Sequence, residues 1–264
     1  KGGGGAGAGG GRRGRGAAAR RVLGGDGTRR VWSKAWREAP MVAVSTGTNN
    51  VFPTMQEPTL AGMAAGLVAS GGITLAECAE RAKVVEVEIE GEAGDLALID
   101  AVLLQNDSLG NLAPFASDKL RTIVLARAEP ASVGISPLGG LLHPCGAEDE
   151  FGVTVNFCTH AQGGRLLRAP FSPGLIRTVH VADSRPVPLG EPIEVTGPAL
   201  LAFDGDRERQ LAPGQRAWLR VVRSGPWVID SRNALHLAAE RELMPDLDHW
   251  FDAYDGVAGK SGCC

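Results

Sequence analysis

Two short stretches of this 264-residue chain carry the residue types from which a phosphate-handling site is built. In Gly24-Gly25-Asp26-Gly27-Thr28, three glycines surround one acid. Without side chains in the way, backbone N–H groups there can approach phosphate oxygens, and glycine tolerates the positive φ of a tight turn. A carboxylate repels a phosphate ligand, so Asp26 makes sense as a proton acceptor from an incoming hydroxyl or as a magnesium partner. The plain alternative is a Gly-Asp-Gly β-turn. The second stretch is Ser45-Thr46-Gly47-Thr48-Asn49-Asn50. Its hydroxyls and amides can bond phosphates, ribose or adenine edges, as in strand-end crevices of α/β folds. The alternative is a turn network in which Asx and Ser/Thr side chains serve only the backbone.

Both stretches need elements to hold them. Met41-Val42-Ala43-Val44, bounded by Pro40 and the polar loop, reads as a buried strand. Pro58 suits the first turn of a helix, Leu60, Ala64, Leu67 and Val68 recur at helical spacing, and Gly71 is a stop. The order strand, glycine loop, helix, strand, loop, helix predicts an α/β layer over 17–80. From Val84 the period becomes two. Val85, Val87 and Ile89 alternate with Glu86, Glu88 and Glu90, a half-exposed strand with its acids in solvent. Short apolar runs at 96–104, 122–126, 153–157, 176–181, 193–196, 200–203, 217–222 and 227–229 follow, separated by turn residues. They read as a sandwich-like β domain over 81–230. Ser231 can cap a last helix within 231–254, ahead of a tail at 255–264.

Composition excludes several classes. The chain is 44% hydrophobic and 22% charged, which is globular rather than disordered. Residues 1–16 are nearly all Gly, Ala and Arg, a leader with too little apolar surface to fold. Residues 1–21 hold six bases and no acid, which leaves 21 bases against 30 acids for the rest, a net −9. An acidic body argues against a nucleic-acid groove and against anionic membranes. The apolar stretch at 60–69 is too short to span a bilayer, and no secretory signal precedes the body. Cys78, Cys145, Cys158, Cys263 and Cys264 show neither a disulfide framework nor zinc spacing. His143, His160, His180, His236 and His249 are scattered singly and read as structural or surface residues. The expectation is a cytoplasmic protein.

The two loops, in this order, resemble the superfamily of NAD kinases and diacylglycerol kinases, whose shared signature is G-G-D-G-T. The segment Gly47-Thr48-Asn49-Asn50-Val51-Phe52 is similar to that of the lipid-kinase branch. Leu201-Ala202-Phe203-Asp204-Gly205-Asp206-Arg207 resembles the late D-G-E motif on the superfamily's β domain. With V-S-T-G-T-N-N-V-F-P, the run at 134–144 and L-A-F-D-G-D-R-E, the likeness is greatest to the ATP-NAD kinase-like acetoin-catabolism protein X group. It covers about 22–240.

The resemblance implies an N-terminal Rossmann-like α/β domain, a C-terminal β-sandwich domain and an active site in the cleft between. Gly24, Gly25 and Gly27 would then line phosphate, with Asp26 as general base. Thr28, Thr46, Gly47, Thr48, Asn49 and Asn50 would contact nucleotide. Asp204 would supply a second acid and a possible magnesium ligand, with Gly205, Asp206 and Arg207 beside it. The plain reading of Asp204-Gly205 is a hairpin turn. Arg207 and Arg209 either neutralise phosphate or pair with Glu208 and its neighbours. Three departures stand out. The Gly/Arg leader replaces the βα units that the superfamily places before its first motif. The entering strand carries Arg20-Arg21 where apolar residues are expected. Ile99-Asp100 stands at the nearest counterpart of the NAD-reading Asn-Glu pair.

The expected function is an alcohol-accepting phosphotransferase that uses ATP and Mg²⁺, with NAD as acceptor and NADP as product. Its partners would be nucleotide and a small-molecule substrate, in a possible homo-oligomer. A lipid or other small-molecule kinase is the alternative within this class. A non-catalytic nucleotide-binding regulator linked to acetoin catabolism is the alternative outside it.

Overall fold

In a computed structural model, the structure describes residues 20–244 apart from 48, 112 and 114. The leader, Thr48, His249, Cys263, Cys264 and the expected tail lie outside the described residues. The chain opens with β1 (Arg20–Gly24), α1 (Asp26–Ala35), β2 (Pro40–Ser45), α2 (Pro58–Ser70), α3 (Leu75–Cys78) and β3 (Ala79–Arg81). There follow β4 (Val84–Ile89), β5 (Asp95–Ala97), β6 (Asp100–Leu104), β7 (Leu120–Leu125), α4 (Ser136–Gly140) and β8 (Phe151–Phe157). Next come β9 (Arg165–Ser172), β10 (Leu175–Pro188), β11 (Ile193–Thr196) and β12 (Ala199–Phe203). The last elements are β13 (Asp206–Leu211), β14 (Arg216–Val222), β15 (Trp227–Ile229) and α5 (Ser231–Glu240). Strands dominate, and no described helix is long and apolar enough to cross a membrane.

Three sheets result. The first has the order β1-β2-β15-β3, with β1, β2 and β15 parallel. Met41 and Ala43 point to one side of β2 and Val42 and Val44 to the other. The second pair packs with Ala61, Ala64 and Val68 of α2 and Ala234 of α5. Two-sided burial is why this strand reads as an unbroken apolar run. The opposite face joins Phe52, Val84, Leu98 and Ile99.

The second sheet, β13-β12-β6-β7-β8-β10-β9, and the third, β11-β14-β4-β5, are antiparallel. They share a core in which Val85 and Val87 of β4 meet Leu103, Leu201, Phe203 and Leu219. Alternate residues of the same strands, Val102, Leu104, Leu200 and Ala202, face a second core with Leu138 of α4. Glu86 and Glu88 of β4 and Glu90 just after it pair with Arg37, Arg220 and Arg216, so the solvated-face reading holds.

Several elements depart from expectation. The run at 96–104 breaks into β5 and β6, because Leu98 and Ile99 turn their amides toward Asp204 instead of a neighbouring strand. The segment at 227–229, grouped by sequence with the β-rich part, lies between β2 and β3 in the first sheet. Only 2 to 3 residues pair there, so its place is a matter of return path rather than local pattern. On α2, Ala61 is buried and Leu60 exposed, a shift of the apolar face by one position. Asp230, not Ser231, caps α5 by accepting from the amides of Arg232 and Asn233. Two strands, β9 and β13, carry too many charged residues to show an apolar run.

Candidate functional site

Gly24 ends β1 with φ +142°, a conformation that side chains rarely adopt, and a Cβ there would meet the Thr28 side chain at 2.9 Å. A Cβ on Gly25 would meet Asn50 Oδ1, also at 2.9 Å, so the first motif is glycine-rich because the second loop lies against it. Asp26 is the first residue of α1. Its carboxylate accepts the amides of Val51 and Phe52, each at 3.1 Å, and so fastens the two loops together. Burial pushes its pKa up, opposed by these two amides and by the charges of Arg29 and Arg127.

Arg29, buried one turn into α1, donates to the carbonyls of Gly24, Gly25 and Val44 and braces both loops from below. Arg30 pairs with Asp95 at 2.7 Å and with Glu208, and lies over the Phe203 ring. It ties α1 to β5 and β13. Burial lowers the Arg29 pKa to about 10, whereas the acids facing Arg30 outweigh its burial and raise it. Neither arginine stood out in the sequence. A helix that buries two adjacent arginines breaks the usual inside-outside pattern, and only their distant acceptors explain it.

In the second loop, Ser45 Oγ donates to Gly47 O at 2.8 Å, and Asn50 Nδ2 donates to Ser45 Oγ at 2.9 Å. Part of the loop chemistry therefore serves the loop itself. Thr46, Gly47 and Asn49 stay exposed.

Asp204 and Gly205 form the turn between β12 and β13, both with positive φ (49° and 95°), which suits a two-residue hairpin of Asp-Gly type. The plain hairpin reading is thus correct, but it is incomplete. The Asp204 carboxylate accepts the amides of Leu98 and Ile99 at 2.8 Å and of Asp100 at 3.2 Å. Three of its roughly four acceptor positions are thereby filled. Asp204 thereby clasps the β5–β6 connection. Burial raises its pKa to about 6, against the pull of those amides. Arg207, offered either to phosphate or to neighbouring acids, pairs with Asp107 at 2.7 Å, both side chains buried, and lies over the Phe115 ring. Arg209 reaches Asp95 at 3.4 Å.

These segments converge on one cavity of about 350 Å³. Asp26, Asn49 and Val51 line it together with Asp204, Gly205, Asp206 and Arg207, residues 133–136 and Phe171. Asp206 Oδ2 would lie 3.1 Å from a Cβ on Gly27, so the first and last motifs nearly touch. Gly24, Gly25, Gly27, Thr28, Thr46, Gly47 and Asn50 frame the cavity without being part of its lining. Asp100 also lines it and was noted in the sequence only as a departure. It is buried, and its Oδ1 has no hydrogen-bond partner. Burial first, then the charges of Asp204 and Asp26, hold its carboxyl well above the usual range. The signal for it was a lone acid opening an otherwise apolar strand.

Among the described residues, no three His, Cys, Asp or Glu side chains converge as a metal cage. His143 bonds Ser184, and the buried Cys145 thiol meets the buried Lys83 ammonium at 3.1 Å.

Comparison with solved structures places the fold. Yeast NADH kinase, solved in complex with NADH, superimposes with a TM-score of 0.51 at 14% identity, over 87% of this chain and 67% of that one. An NAD kinase of Archaeoglobus fulgidus, in complex with ATP, gives 0.42 at 14% over 86% and 84%. The fold is NAD kinase-like. The acetoin catabolism protein X C-terminal domain family matches residues 83–224, more than half of the chain, and the chain belongs to the acetoin catabolism protein X family. Acetoin catabolism protein X of Cupriavidus necator is 35% identical over 235 residues, or 87% of this chain. The chain spans 66% of that relative's length.

Proposed function

We propose that the chain is an ATP-dependent kinase that phosphorylates a hydroxyl, with the ribose of NAD as acceptor. The carrying observation is that segments around 26, 49, 100 and 204, far apart in sequence, line one cavity with four aspartates. In this reading a Rossmann-like unit built on the first sheet faces a β-sandwich unit, and the cavity is their cleft. Residues 17–80 form the first unit, joined by β15 and α5 of the chain's end, and the remainder of 81–230 forms the second.

Asp26 is the general base. Two amides use part of its acceptor capacity, which leaves lone pairs for an acceptor hydroxyl. Its raised pKa makes it a better proton acceptor near neutral pH than an exposed aspartate. The amides of the glycine loop at the α1 N-terminus and the polar groups at 46–50 hold the donor phosphates. Mg²⁺ arrives with ATP as part of the substrate. Asp204 positions the β5–β6 connection, and with it Asp100, rather than taking the proton. In-line positioning between two walls supplies most of the rate enhancement such sites need.

The test is a coupled assay of purified protein with Mg-ATP against NAD, a glycerolipid and acetoin-related diols. Transfer to NAD supports the reading, and transfer to a lipid moves it to the diacylglycerol kinase branch. Binding of ATP and NAD by calorimetry without turnover on any acceptor would sink it in favour of a regulatory nucleotide-binding protein.

A further inference from the structure

A second and larger cavity, of about 560 Å³, has Phe52 in its lining and shares no lining residue with the acid-lined one. Its walls come from β2, α3, β3, β15 and the start of α5, and much of its lining is apolar, including Ala43, Ala79, Val228 and Ile229. Four arginines and four acids also line it. Most of these charges are satisfied. Glu77 pairs with Arg241, and Asp230 caps α5. Glu80 is hydrogen-bonded to Glu148, so that these two acids share a site. Arg81 pairs with Glu38 and Arg223 with Glu150, while Arg232 is exposed to solvent.

Arg127 is the exception. Its guanidinium makes one long hydrogen bond, to Phe52 O at 3.3 Å, and lies over the Phe52 ring. Its Nε is buried without a partner, and it forms no ion pair within 4 Å among the described residues, although the charges of Asp26 and Glu148 act on it from farther away. A guanidinium offers five donors in a planar fork that matches a carboxylate bidentately. Leaving such a group partly buried without an ion pair is costly unless an anion reaches it. Arg127 and the exposed Arg232 are the lining arginines without an ion pair among the described residues, and four acids line the same cavity, so a singly charged ligand meets less repulsion there than a phosphate dianion. The apolar walls fit a carbon body.

We propose that this cavity binds a small organic monocarboxylate, held bidentately by Arg127 with its apolar part against β2 and β15. The two cavities share no lining residue, though Arg127 and Asp26 feel each other's charge, and carboxylate binding does not rest on which reaction occurs in the acid-lined cavity.

Isothermal titration and thermal shift on the full chain test this with acetate, pyruvate, benzoate and inorganic phosphate as probes. One or more of the carboxylates should bind and raise the melting temperature, and phosphate should not. Arg127→Gln, which removes the unpaired charge, should weaken that binding by at least about tenfold without lowering the unliganded melting temperature. Ala76→Trp, which fills the cavity from α3 and leaves Arg127 intact, should weaken it similarly. Absence of carboxylate binding at millimolar concentrations overturns the proposal, as does binding that survives both substitutions. Phosphate binding as tightly as the carboxylates also overturns it.

Discussion

Asp26 and Asp204 both line one cavity and do the same local job differently. Each carboxylate accepts backbone amides from a segment remote in sequence: Asp26 from Val51 and Phe52, Asp204 from Leu98, Ile99 and Asp100. Asp26 opens a helix, uses two amides and keeps acceptor capacity toward the cavity. Asp204 sits in a hairpin turn with φ 49° and spends nearly all of its capacity on the chain. A motif acid is therefore not by itself a reacting acid. What separates chemistry from scaffolding is how many acceptor positions the protein leaves open.

The contrast breaks most visibly at Asp26. Asp26→Asn keeps one carbonyl acceptor for the loop and should lower turnover by about 10²–10⁴-fold while the melting temperature shifts little. Full activity in the variant would return Asp26 to the role of clasp alone. Beside Asp204, Asp107→Ala strands the buried Arg207 guanidinium and should cost about 4 kcal/mol in urea unfolding. A near-neutral result would free Arg207 for phosphate and revive that role.

Asp204→Ala leaves three amides without their acceptor and should cost about 3 kcal/mol, read from the same unfolding curves. An active-site loss with unchanged stability would instead make Asp204 a second reacting acid. The smallest effect concerns Asp100. The Asp204 carboxyl is raised from 3.8 to about 6, so its protonation stabilises the fold fully below about pH 4, and that contribution is lost as pH rises through 6. Asp100, also raised, adds repulsion once both ionise. Asp100→Asn should therefore favour folding more at pH 7 than at pH 4.5, by about 1 kcal/mol relative to the parent chain. An equal effect at both pH values would show that the two acids do not interact.

Legibility in the sequence followed the range of each interaction. The period-two pattern of β4, the apolar run of β2 and the extent of α2 were readable because burial on one or both faces leaves a local signature. So was the Asp-Gly hairpin, whose positive φ is a local demand. The pattern failed where charged residues are buried by partners elsewhere in the chain. Arg29 and Arg30 on α1, and the strand β13, look solvent-facing until Val44 O, Asp95, Glu208 and Asp107 are in place. The break between β5 and β6 was hidden for the same reason, since its cause is a carboxylate about a hundred residues downstream.

By itself, the sequence determined that acids and glycines recur in an order suited to phosphate chemistry, and that the middle of the chain is made of short strands. Tertiary structure alone decided that β15 returns to the first sheet, that Asp100 is enclosed with an unsatisfied oxygen and that Arg127 lines a cavity without an ion pair among the described residues. Composition and spacing encode what a residue can do with its neighbours along the chain. Desolvation and acceptor capacity depend on what the fold brings from afar, and those two quantities separate a reacting aspartate from a structural one.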